Sequence, residues 1–142
     1  MKFYVSGPVV DELNEKELVG RIYLLIEKIL KGHQVELPLR SRDLDKLSPT
    51  RFYDSVRKLI KKSDGVISVL AGEDLSGPVE STLASIRKKP QCMMEMSASA
   101  PRLLRGLPGM VDVTTINEKD GNLEQQVRRC LESLLKDLGA AL

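Results

Sequence analysis

Residues 65–85, GVISVLAGEDLSGPVESTLAS, decide the fold of this chain. The first six residues are apolar enough to form a strand that is buried on both faces, which is typical of a central strand in a parallel sheet. A loop with two acidic residues and two glycines follows, and residues 79–87 have the pattern of a helix. Because Glu80 comes at the start of that helix, the pattern places a carboxylate close to the end of a buried strand.

Strand and helix patterns alternate on both sides of this segment. Further strands are predicted at residues 3–5, 35–37, 92–96 and 111–116. Helices are predicted between them: over residues 18–29, closed by Gly32; after the cap Ser48-Pro49; and along the apolar seam of residues 123–138. We therefore expect one flavodoxin-like or Rossmann-like α/β sandwich over residues 1–142, with about five parallel strands and helices on both faces.

The composition is that of an ordinary globular protein. The 142 residues are 42% hydrophobic and 30% charged, and the net charge of +2 gives no strong field to attract nucleic acid. No apolar run approaches the roughly 20 residues that a membrane span needs, and the first residues do not have the pattern of a signal peptide. We expect a cytoplasmic protein that binds neither nucleic acid nor membranes.

The cysteines do not indicate a metal site. Cys92 and Cys130 lie within apolar patterns, and the chain has one histidine and no CxxC motif. This set does not supply the ligands of a zinc site. Buried thiols and no metal are the prediction.

Small and acidic residues follow two strands that we expect to be neighbours. Ser6-Gly7-Pro8 ends the first strand, and residues 72–77 follow the strand at 66–70. Ligands of such folds bind outside the carboxyl ends of the strands, so these loops predict a pocket at one edge of the sheet. Glu80, expected in the first turn of the next helix, would point toward that pocket, where the helix dipole favours a negative charge.

The residues alone leave two interpretations of this carboxylate. In one, Glu80 is a charge at a helix N-terminus, and Asp74 and Ser76 are turn and capping residues. In the other, Glu80 is a nucleophile or an acid–base group. Spacing by itself does not decide between them.

Four short motifs occur in one order along the chain: FYVSGP at residues 3–8, KKSDGVISVL at 61–70, DLSGPVE at 74–80 and PRLLRG at 101–106. Together they resemble the nucleoside 2-deoxyribosyltransferase family and its relatives, the 2′-deoxynucleoside 5′-phosphate N-hydrolases and the hydrolases that cleave cytidine monophosphate. The resemblance spans most of the chain. It implies cleavage of the bond between base and sugar in a nucleoside or a nucleoside 5′-monophosphate.

By this resemblance, Glu80 would attack the anomeric carbon and form a covalent glycosyl-enzyme, which water or a second base then releases. A carboxylate beneath the sugar stabilises a transition state that resembles an oxocarbenium ion. Asp74 would hold the sugar hydroxyls or the base, and Tyr4 would orient Glu80 by a hydrogen bond. Neither a metal nor an organic cofactor is implied.

The resemblance also implies the substrate contacts and the assembly. Gly7 would let the sugar approach closely. A phosphate, if the substrate has one, would be bound by Ser97, Ser99, Arg102 or backbone N–H groups, and the alternative is that Arg102 and Arg105 are solvated charges. The full set of predicted substrate-binding residues is Gly7, Pro8, Ser76, Gly77, Ser97, Ser99 and Arg102. A homodimer is expected, in which a loop of the partner completes the site.

The chain departs from the family pattern at two places. Val56 stands eight residues before Asp64, where the family has an aspartate that helps to protonate the leaving base, and Asp54 lies about 200° away around the predicted helix. The stretch after the first strand, residues 8–11, offers no cation for a phosphate. The alternative function is therefore a non-catalytic nucleotide-binding or interaction module of the same fold.

Glu95 is unusual because it interrupts the apolar run CMMEM. It is compatible with a position in the pocket, in a subunit interface or in solvent. The sequence does not decide among them.

Overall fold

The computed structural model describes residues 1–40, 44–72, 74–96 and 100–142. Within them, five strands form one parallel sheet in the order β2-β1-β3-β4-β5. The strands are β1 (Lys2–Ser6), β2 (Gln34–Glu36), β3 (Gly65–Leu70), β4 (Gln91–Glu95) and β5 (Met110–Thr115). The predicted α/β class and its parallel sheet are confirmed.

The helices of the described residues are α1 (Leu18–Ile29), α2 (Pro49–Lys62), α3 (Ser76–Ile86), α4 (Arg102–Arg105) and α5 (Leu123–Asp137). Helix α2 begins as predicted, since the side chain of Ser48 accepts a hydrogen bond from the Arg51 N–H at 3.4 Å and a proline follows it. Across the described ranges, no helix is both long enough and apolar enough to cross a bilayer.

Helix α3 begins earlier than its sequence pattern predicts. The carboxylate of Asp74 accepts a hydrogen bond from the Ser76 N–H at 3.0 Å, and the helix starts at Ser76 instead of at residue 79. Glu80 is therefore the fifth helical residue. The expectation that it lies in the first turn was wrong, and the dipole of the first turn is not what stabilises its charge.

The main core lies between the sheet and the helices α1 and α5. Alternate strand residues, among them Val5, Ile67 and Met94, pack there against Ile26 of α1 and Leu131 of α5. Because side chains alternate along a strand, the residues between them face the other side of the sheet. Helices α2 and α3 cover that second side, where a smaller cluster contains Tyr4, Val66, Val56, Ile60 and Ala84.

Both cysteines lie in the main core, as predicted. Cys92 and Cys130 are free and fully buried. The neighbouring Cys130 thiol, together with burial, raises the pKa of Cys92 well above its usual value. Cys130 itself donates to the Met93 carbonyl at 3.6 Å. A thiol that is protonated and inaccessible has a packing role.

The strand order identifies the edge where a ligand site would form. β1 lies between β2 and β3, so the chain winds in opposite directions on the two sides of β1. Parallel α/β sheets bind ligands outside the carboxyl ends of the strands at such a switch point. The loops after Ser6 and Leu70, which the sequence singled out, both leave this edge.

Candidate active site

A buried tyrosine–glutamate pair lies under the start of α3. The hydroxyl of Tyr4 donates a hydrogen bond to Oε1 of Glu80 over 3.1 Å, and both residues are buried. Tyr4 is on the strand β1 next to the switch point, and Glu80 is on the helix that leaves β3. A buried carboxylate is costly unless it is hydrogen-bonded, so the Tyr4 hydroxyl both stabilises Glu80 and holds its position.

The distribution of polar and apolar residues around α3 differs from that of an ordinary surface helix. It turns the polar residues Glu80 and Ser81 toward the sheet. Its outer side carries apolar residues instead, with Val79 55% exposed and Ile86 70% exposed, and Leu75 just before the helix is 77% exposed. The same inner side also contributes Ala84 to the smaller apolar cluster, so α3 combines core packing with a buried carboxylate.

A line of polar groups holds the inner side of α3 to the sheet. Ser68 of β3 and Ser81 of α3 share a hydrogen bond of 2.9 Å between their hydroxyls, and Gln91 of β4 donates to the Ser81 carbonyl at 3.1 Å. Ser6 lies beside Ser68 in the sheet register and is also fully buried. Its hydroxyl, however, has no hydrogen-bond partner among the described residues.

Asp74 has a structural role at the start of α3, whether or not it also contacts a substrate. Its side chain makes the hydrogen bond to the Ser76 N–H that starts α3, which is the turn and capping interpretation of the acidic loop. Ser76 is exposed at the first helical position. Contacts of Asp74 and Ser76 with a substrate stay predictions.

Gly7 and Pro8 are held by the packing of α1. A Cβ atom at Gly7 would lie 2.5 Å from the Tyr23 hydroxyl and 3.1 Å from the Val69 carbonyl oxygen, so packing alone favours a glycine there, whatever the ligand. The same Tyr23 hydroxyl donates to the Pro8 carbonyl at 2.7 Å. The close approach of a sugar at Gly7 remains a prediction.

Gly77 is less restricted than Gly7. A Cβ atom there would have Leu70 Cδ1 at 3.9 Å and Ser6 Oγ at 4.0 Å as its nearest neighbours, which is ordinary contact. Packing therefore does not require a glycine at this position.

The predicted phosphate-binding residues are only partly described. Ser97 and Ser99 lie outside the described residues. Arg102 is exposed at the start of α4. Its neighbour Arg105 forms an ion pair of 2.6 Å with Glu95, so that cation is already neutralised.

Glu95, whose place the sequence left undecided, is buried at the carboxyl end of β4. Its carboxylate accepts hydrogen bonds from the Ala100 N–H at 2.6 Å, from Arg105 at 2.6 Å and from the Thr115 hydroxyl at 2.7 Å. Arg105 also donates to the Ala100 carbonyl at 3.1 Å. Glu95 therefore ties the chain entering α4 to the ends of β4 and β5.

The charge of Glu95 is stabilised despite its burial. Burial alone would raise its pKa, but the hydrogen bonds from Ala100, Thr115 and Arg105, with the positive charge of Arg105, together lower the pKa below its usual value. The sequence signal for this role was a charged residue inside an apolar run. The sequence pattern did not predict the partners of Glu95, because Arg105 and Thr115 are 10 and 20 residues away and meet it only in the folded chain.

Val56, where the resemblance led us to expect an acid, lies in an apolar environment. Val56 is buried in the apolar cluster under α2, next to Ile60 and Tyr4. Asp54 does not replace the missing acid there, because its side chain is half exposed and lies 3.9 Å from Arg57 on the same helix. At position 56, α2 therefore presents an aliphatic surface in place of an acid.

A surface cleft of about 520 Å³ lies away from this region, between α1 and the start of α5. Two ion pairs, Arg21–Glu118 and Lys28–Glu124, involve residues in or beside it. It is on the opposite side of the sheet from Glu80. We assign it no role in the chemistry of Glu80.

Comparison with known proteins identifies the fold. No protein-family model matches the sequence, and no curated protein is detectably similar to it. Among solved structures, the CMP N-glycosidase BcmB of Clostridium botulinum is similar with a TM-score of 0.61 at 19% identity, over 92% of this chain and 97% of that one. The 2-deoxyribosyltransferase of Bacillus psychrosaccharolyticus is similar with a TM-score of 0.59 at 16% identity, and the match covers 84% of this chain and 89% of that one.

Both structures belong to the nucleoside 2-deoxyribosyltransferase-like family. Their likeness to this chain extends over most of both molecules, so the fold that the sequence motifs implied is confirmed. At these identities the likeness is one of fold. The chemistry of this chain has to be argued from its own residues.

Proposed function

We propose that this protein is an N-glycosidase or deoxyribosyltransferase that cleaves the bond between base and sugar in a nucleoside or a nucleoside 5′-monophosphate. The observation that carries the proposal is the buried Tyr4–Glu80 hydrogen bond beside the switch point of the sheet. A carboxylate held in one orientation can serve as the nucleophile that attacks an anomeric carbon. The shared fold with a CMP N-glycosidase and a 2-deoxyribosyltransferase supports the same chemistry.

In the proposed mechanism, a carboxylate oxygen of Glu80 attacks the anomeric carbon while the bond to the base nitrogen breaks. The base leaves with the bonding electrons and takes a proton from solvent water, and Glu80 becomes an ester of the sugar. Water, or the nitrogen of a second base, then attacks the same carbon and releases Glu80 as a carboxylate. Tyr4 keeps the carboxylate in one orientation, so little reorganisation is needed at the moment of attack.

The other predicted residues complete this proposal. Asp74 would contact sugar hydroxyls or the base while it holds the start of α3, and Arg102 would meet a 5′-phosphate if the substrate has one. The surrounding contacts would come from Gly7, Pro8, Ser76, Gly77, Ser97 and Ser99. We propose that residues 1–142 act as one such domain and as a homodimer.

A second function is favoured by one observation. Val56 fills the position of the expected acid with a buried aliphatic side chain, so at this position α2 offers no group to protonate the leaving base. Without such a group, cleavage would be slow for bases that are poor leaving groups. A non-catalytic nucleotide-binding module that keeps the fold is therefore the alternative.

The experiment that separates the two functions is an assay of free base by liquid chromatography. Ribonucleosides, 2′-deoxynucleosides and the 5′-monophosphates of both are incubated with the wild-type protein and with Glu80→Gln. The amide oxygen of the substituted side chain can still accept the Tyr4 hydrogen bond, so the variant should fold while losing the nucleophile. We expect base release to fall by at least about a thousandfold.

Glu132→Gln is the matched control, because Glu132 is exposed on α5, far from the proposed site. It should release base at the wild-type rate. Equal rates for Glu80→Gln and the wild type would rule out the mechanism. Ligand binding by the wild type with no base release from any substrate would establish the binding module.

A further inference from the structure

We propose that the dipeptide Asp120-Gly121 is a site of spontaneous covalent modification, at which the main chain rearranges through a succinimide to isoaspartate, and that this change loosens the start of α5. The dipeptide lies in the turn between β5 and α5. Its chemistry does not involve Glu80, so the modification and the proposed function stand or fall separately.

The reaction is a property of an aspartate that is followed by a glycine. The main-chain nitrogen of the glycine attacks the carboxyl carbon of the aspartate, and the carboxyl hydroxyl leaves with the amide hydrogen as one molecule of water. Solvent water then opens the cyclic imide at either of its two carbonyl carbons. One opening restores aspartate, and the other gives isoaspartate, in which the main chain runs through the side-chain carbons. A glycine favours the attack because it has no side chain beside its nitrogen.

The chain contains this dipeptide twice, at residues 64–65 and at residues 120–121. Both aspartates are exposed to solvent. By their local sequence the two dipeptides are therefore equivalent sites. The structure makes them different, because the attack requires the aspartate and the glycine to rotate into a new conformation.

The first dipeptide is held by the core. The carboxylate of Asp64 accepts a hydrogen bond from the Lys2 N–H at 2.7 Å. Gly65 is buried at the start of β3, where an added Cβ atom would lie 3.2 Å from Leu138 Cδ1 and 3.3 Å from a ring carbon of Phe3. Rotation here would require the opening of a central strand, which is the most stable kind of element.

The second dipeptide is held weakly. It ends a short 3₁₀ turn (Glu118–Asp120), all of which is exposed. The Asp120 N–H donates to the Asn117 carbonyl at 3.3 Å, and the Gly121 N–H donates to the Glu118 carbonyl at 3.5 Å. Both distances are longer than the usual value of about 2.9–3.0 Å. The attacking nitrogen is therefore released by the opening of one poor hydrogen bond.

The electrophile of the reaction is equally unrestrained. Within the described part of the chain, the carboxylate of Asp120 makes no hydrogen bond and no ion pair. This differs from Asp64, whose carboxylate is held by a main-chain N–H. The side chain of Asp120 can therefore turn toward the Gly121 nitrogen without the loss of a contact.

The conformation of the turn requires the glycine that makes the site reactive. Gly121 has a φ of +75°, in the left-handed region that favours glycine. An added Cβ atom would meet nothing within 4 Å, so the requirement comes from the backbone conformation and not from packing. A glycine therefore follows Asp120 for a structural reason, and the reactivity is a consequence of it.

Isoaspartate at position 120 would disturb the start of α5. Asn122 caps this helix, since its side chain accepts a hydrogen bond from the Gln125 N–H at 3.3 Å. On the other side of the turn, the Asn117 N–H donates to Gln126 Oε1 at 2.8 Å. Isoaspartate adds one atom to the main chain between these two anchors, so both contacts cannot keep their geometry. A loss of the cap should lower the thermal midpoint by about 3 °C.

The first test is the location of isoaspartate in the aged protein. The native wild type is kept at neutral pH, below its unfolding temperature, for several weeks. Its peptides are then analysed by mass spectrometry with electron-transfer fragmentation, which distinguishes isoaspartate from aspartate. We expect at least about tenfold more isoaspartate at position 120 than at position 64. In protein unfolded by guanidinium chloride, the amounts at the two positions should become similar.

Two variants separate the chemistry from other effects of ageing. Asp120→Glu blocks the reaction, because the longer side chain would have to form a less favourable six-membered ring. Asp120→Asn accelerates it at neutral pH, because an amide carries no negative charge and loses ammonia in place of water. Since position 120 is exposed, both variants should have the wild-type midpoint when fresh.

The second test is the thermal midpoint after ageing. We expect the aged wild-type fraction that contains isoaspartate, separated by chromatography, to melt about 3 °C below the fresh protein. Aged Asp120→Glu should keep its fresh midpoint, and Asp120→Asn should lose it sooner than the wild type.

Four results would overturn the inference. Equal amounts of isoaspartate at positions 64 and 120 of the native protein would show that the fold does not select the site. Isoaspartate at neither position, although the unfolded protein forms it, would show that the turn is protected. An unchanged midpoint in the converted fraction would exclude an effect on α5. A loss of midpoint in aged Asp120→Glu as large as in the wild type would assign the loss to another reaction.

Discussion

At the scale of the residue, the site depends on one hydroxyl–carboxylate contact. The Tyr4 ring is buried in the apolar cluster under α2, and its hydroxyl reaches Glu80 at 3.1 Å. The tyrosine therefore has two functions, since the ring contributes to the core and the hydroxyl compensates a buried charge. The two contributions are separable by substitution.

Tyr4→Phe keeps the ring and removes the hydroxyl. We expect a loss of about 2 kcal/mol in the free energy of unfolding, because a hydrogen bond to a buried charged group is lost. Base release should fall as well, by roughly tenfold to a hundredfold, because Glu80 loses its orientation. Urea unfolding and the free-base assay measure the two effects.

Tyr53→Phe is the matched control, because Tyr53 is a half-exposed tyrosine of α2. Its stability and activity should stay at the wild-type values. A double-mutant cycle of Tyr4→Phe with Glu80→Ala, which removes the acceptor of the hydrogen bond, isolates the pairwise contribution. Additive effects on stability would contradict a direct Tyr4–Glu80 interaction.

At the scale of the element, α4 is attached to the sheet by a buried carboxylate, in addition to the packing of Leu104 against Leu70 and Met93. Glu95 accepts hydrogen bonds from Ala100, Arg105 and Thr115, and so connects the start of α4 with the carboxyl ends of β4 and β5. A four-residue helix has little stability of its own. The position of Arg102, on the same helix, therefore depends on Glu95.

Glu95→Gln should lower the free energy of unfolding by about 2 kcal/mol at pH 7, because charged hydrogen bonds become neutral ones. The pKa of Glu95 is lowered in the folded state, so its contribution to stability is complete above the pKa of an unfolded glutamate, about 4.3. That contribution is lost as the pH falls through the lower pKa of the folded state. The difference in the free energy of unfolding between the wild type and Glu95→Gln should therefore become smaller as the pH falls.

Urea unfolding of both proteins at pH 7 and at successively lower pH values tests this pH dependence. Glu132→Gln, the exposed control, should follow the wild type at every pH. A difference between Glu95→Gln and the wild type that stays constant on acidification would show that the charge of Glu95 does not stabilise the fold.

At the scale of the whole molecule, the outer side of α3 exposes several aliphatic side chains. Leu75, Val79 and Ile86 are more than half exposed, and Leu103 of the neighbouring α4 is 81% exposed. None of the outward residues of α3 carries a charge, because its one ionisable residue, Glu80, is buried. We propose that this surface, residues Leu75, Val79, Ile86 and Leu103, is where the homodimer forms.

Val79→Glu, placed in the middle of this surface, should shift the protein to the monomer, because dimerisation would bury an unpaired carboxylate. Light scattering after size exclusion, over a range of protein concentrations, gives the mass. Leu142→Glu is the matched control, since Leu142 is also an exposed aliphatic residue but lies at the end of the chain. A wild type that is monomeric at every concentration would rule out the dimer.

Much of the fold was predictable because its determinants are local. The run at residues 65–70, the cap at Ser48-Pro49 and the apolar seam of α5 each follow from neighbouring residues in the chain. The start of α3 was predicted too late for an equally local reason. The turn made by Asp74 begins the helix at Ser76, ahead of the apolar periodicity on which the prediction relied.

The sequence by itself determined the α/β class and the parallel sheet and marked Glu80 as a candidate, because strand and helix periods and short motifs are properties of consecutive residues. Only the tertiary structure decided which distant side chains meet. Tyr4 donates a hydrogen bond to the carboxylate of Glu80, 76 positions away. Glu95, at the end of β4, accepts one from Thr115 at the end of β5. Ser6 has no such partner within the described residues. These contacts depend on strand order and on the packing of α3 against the sheet, and no local pattern encodes either.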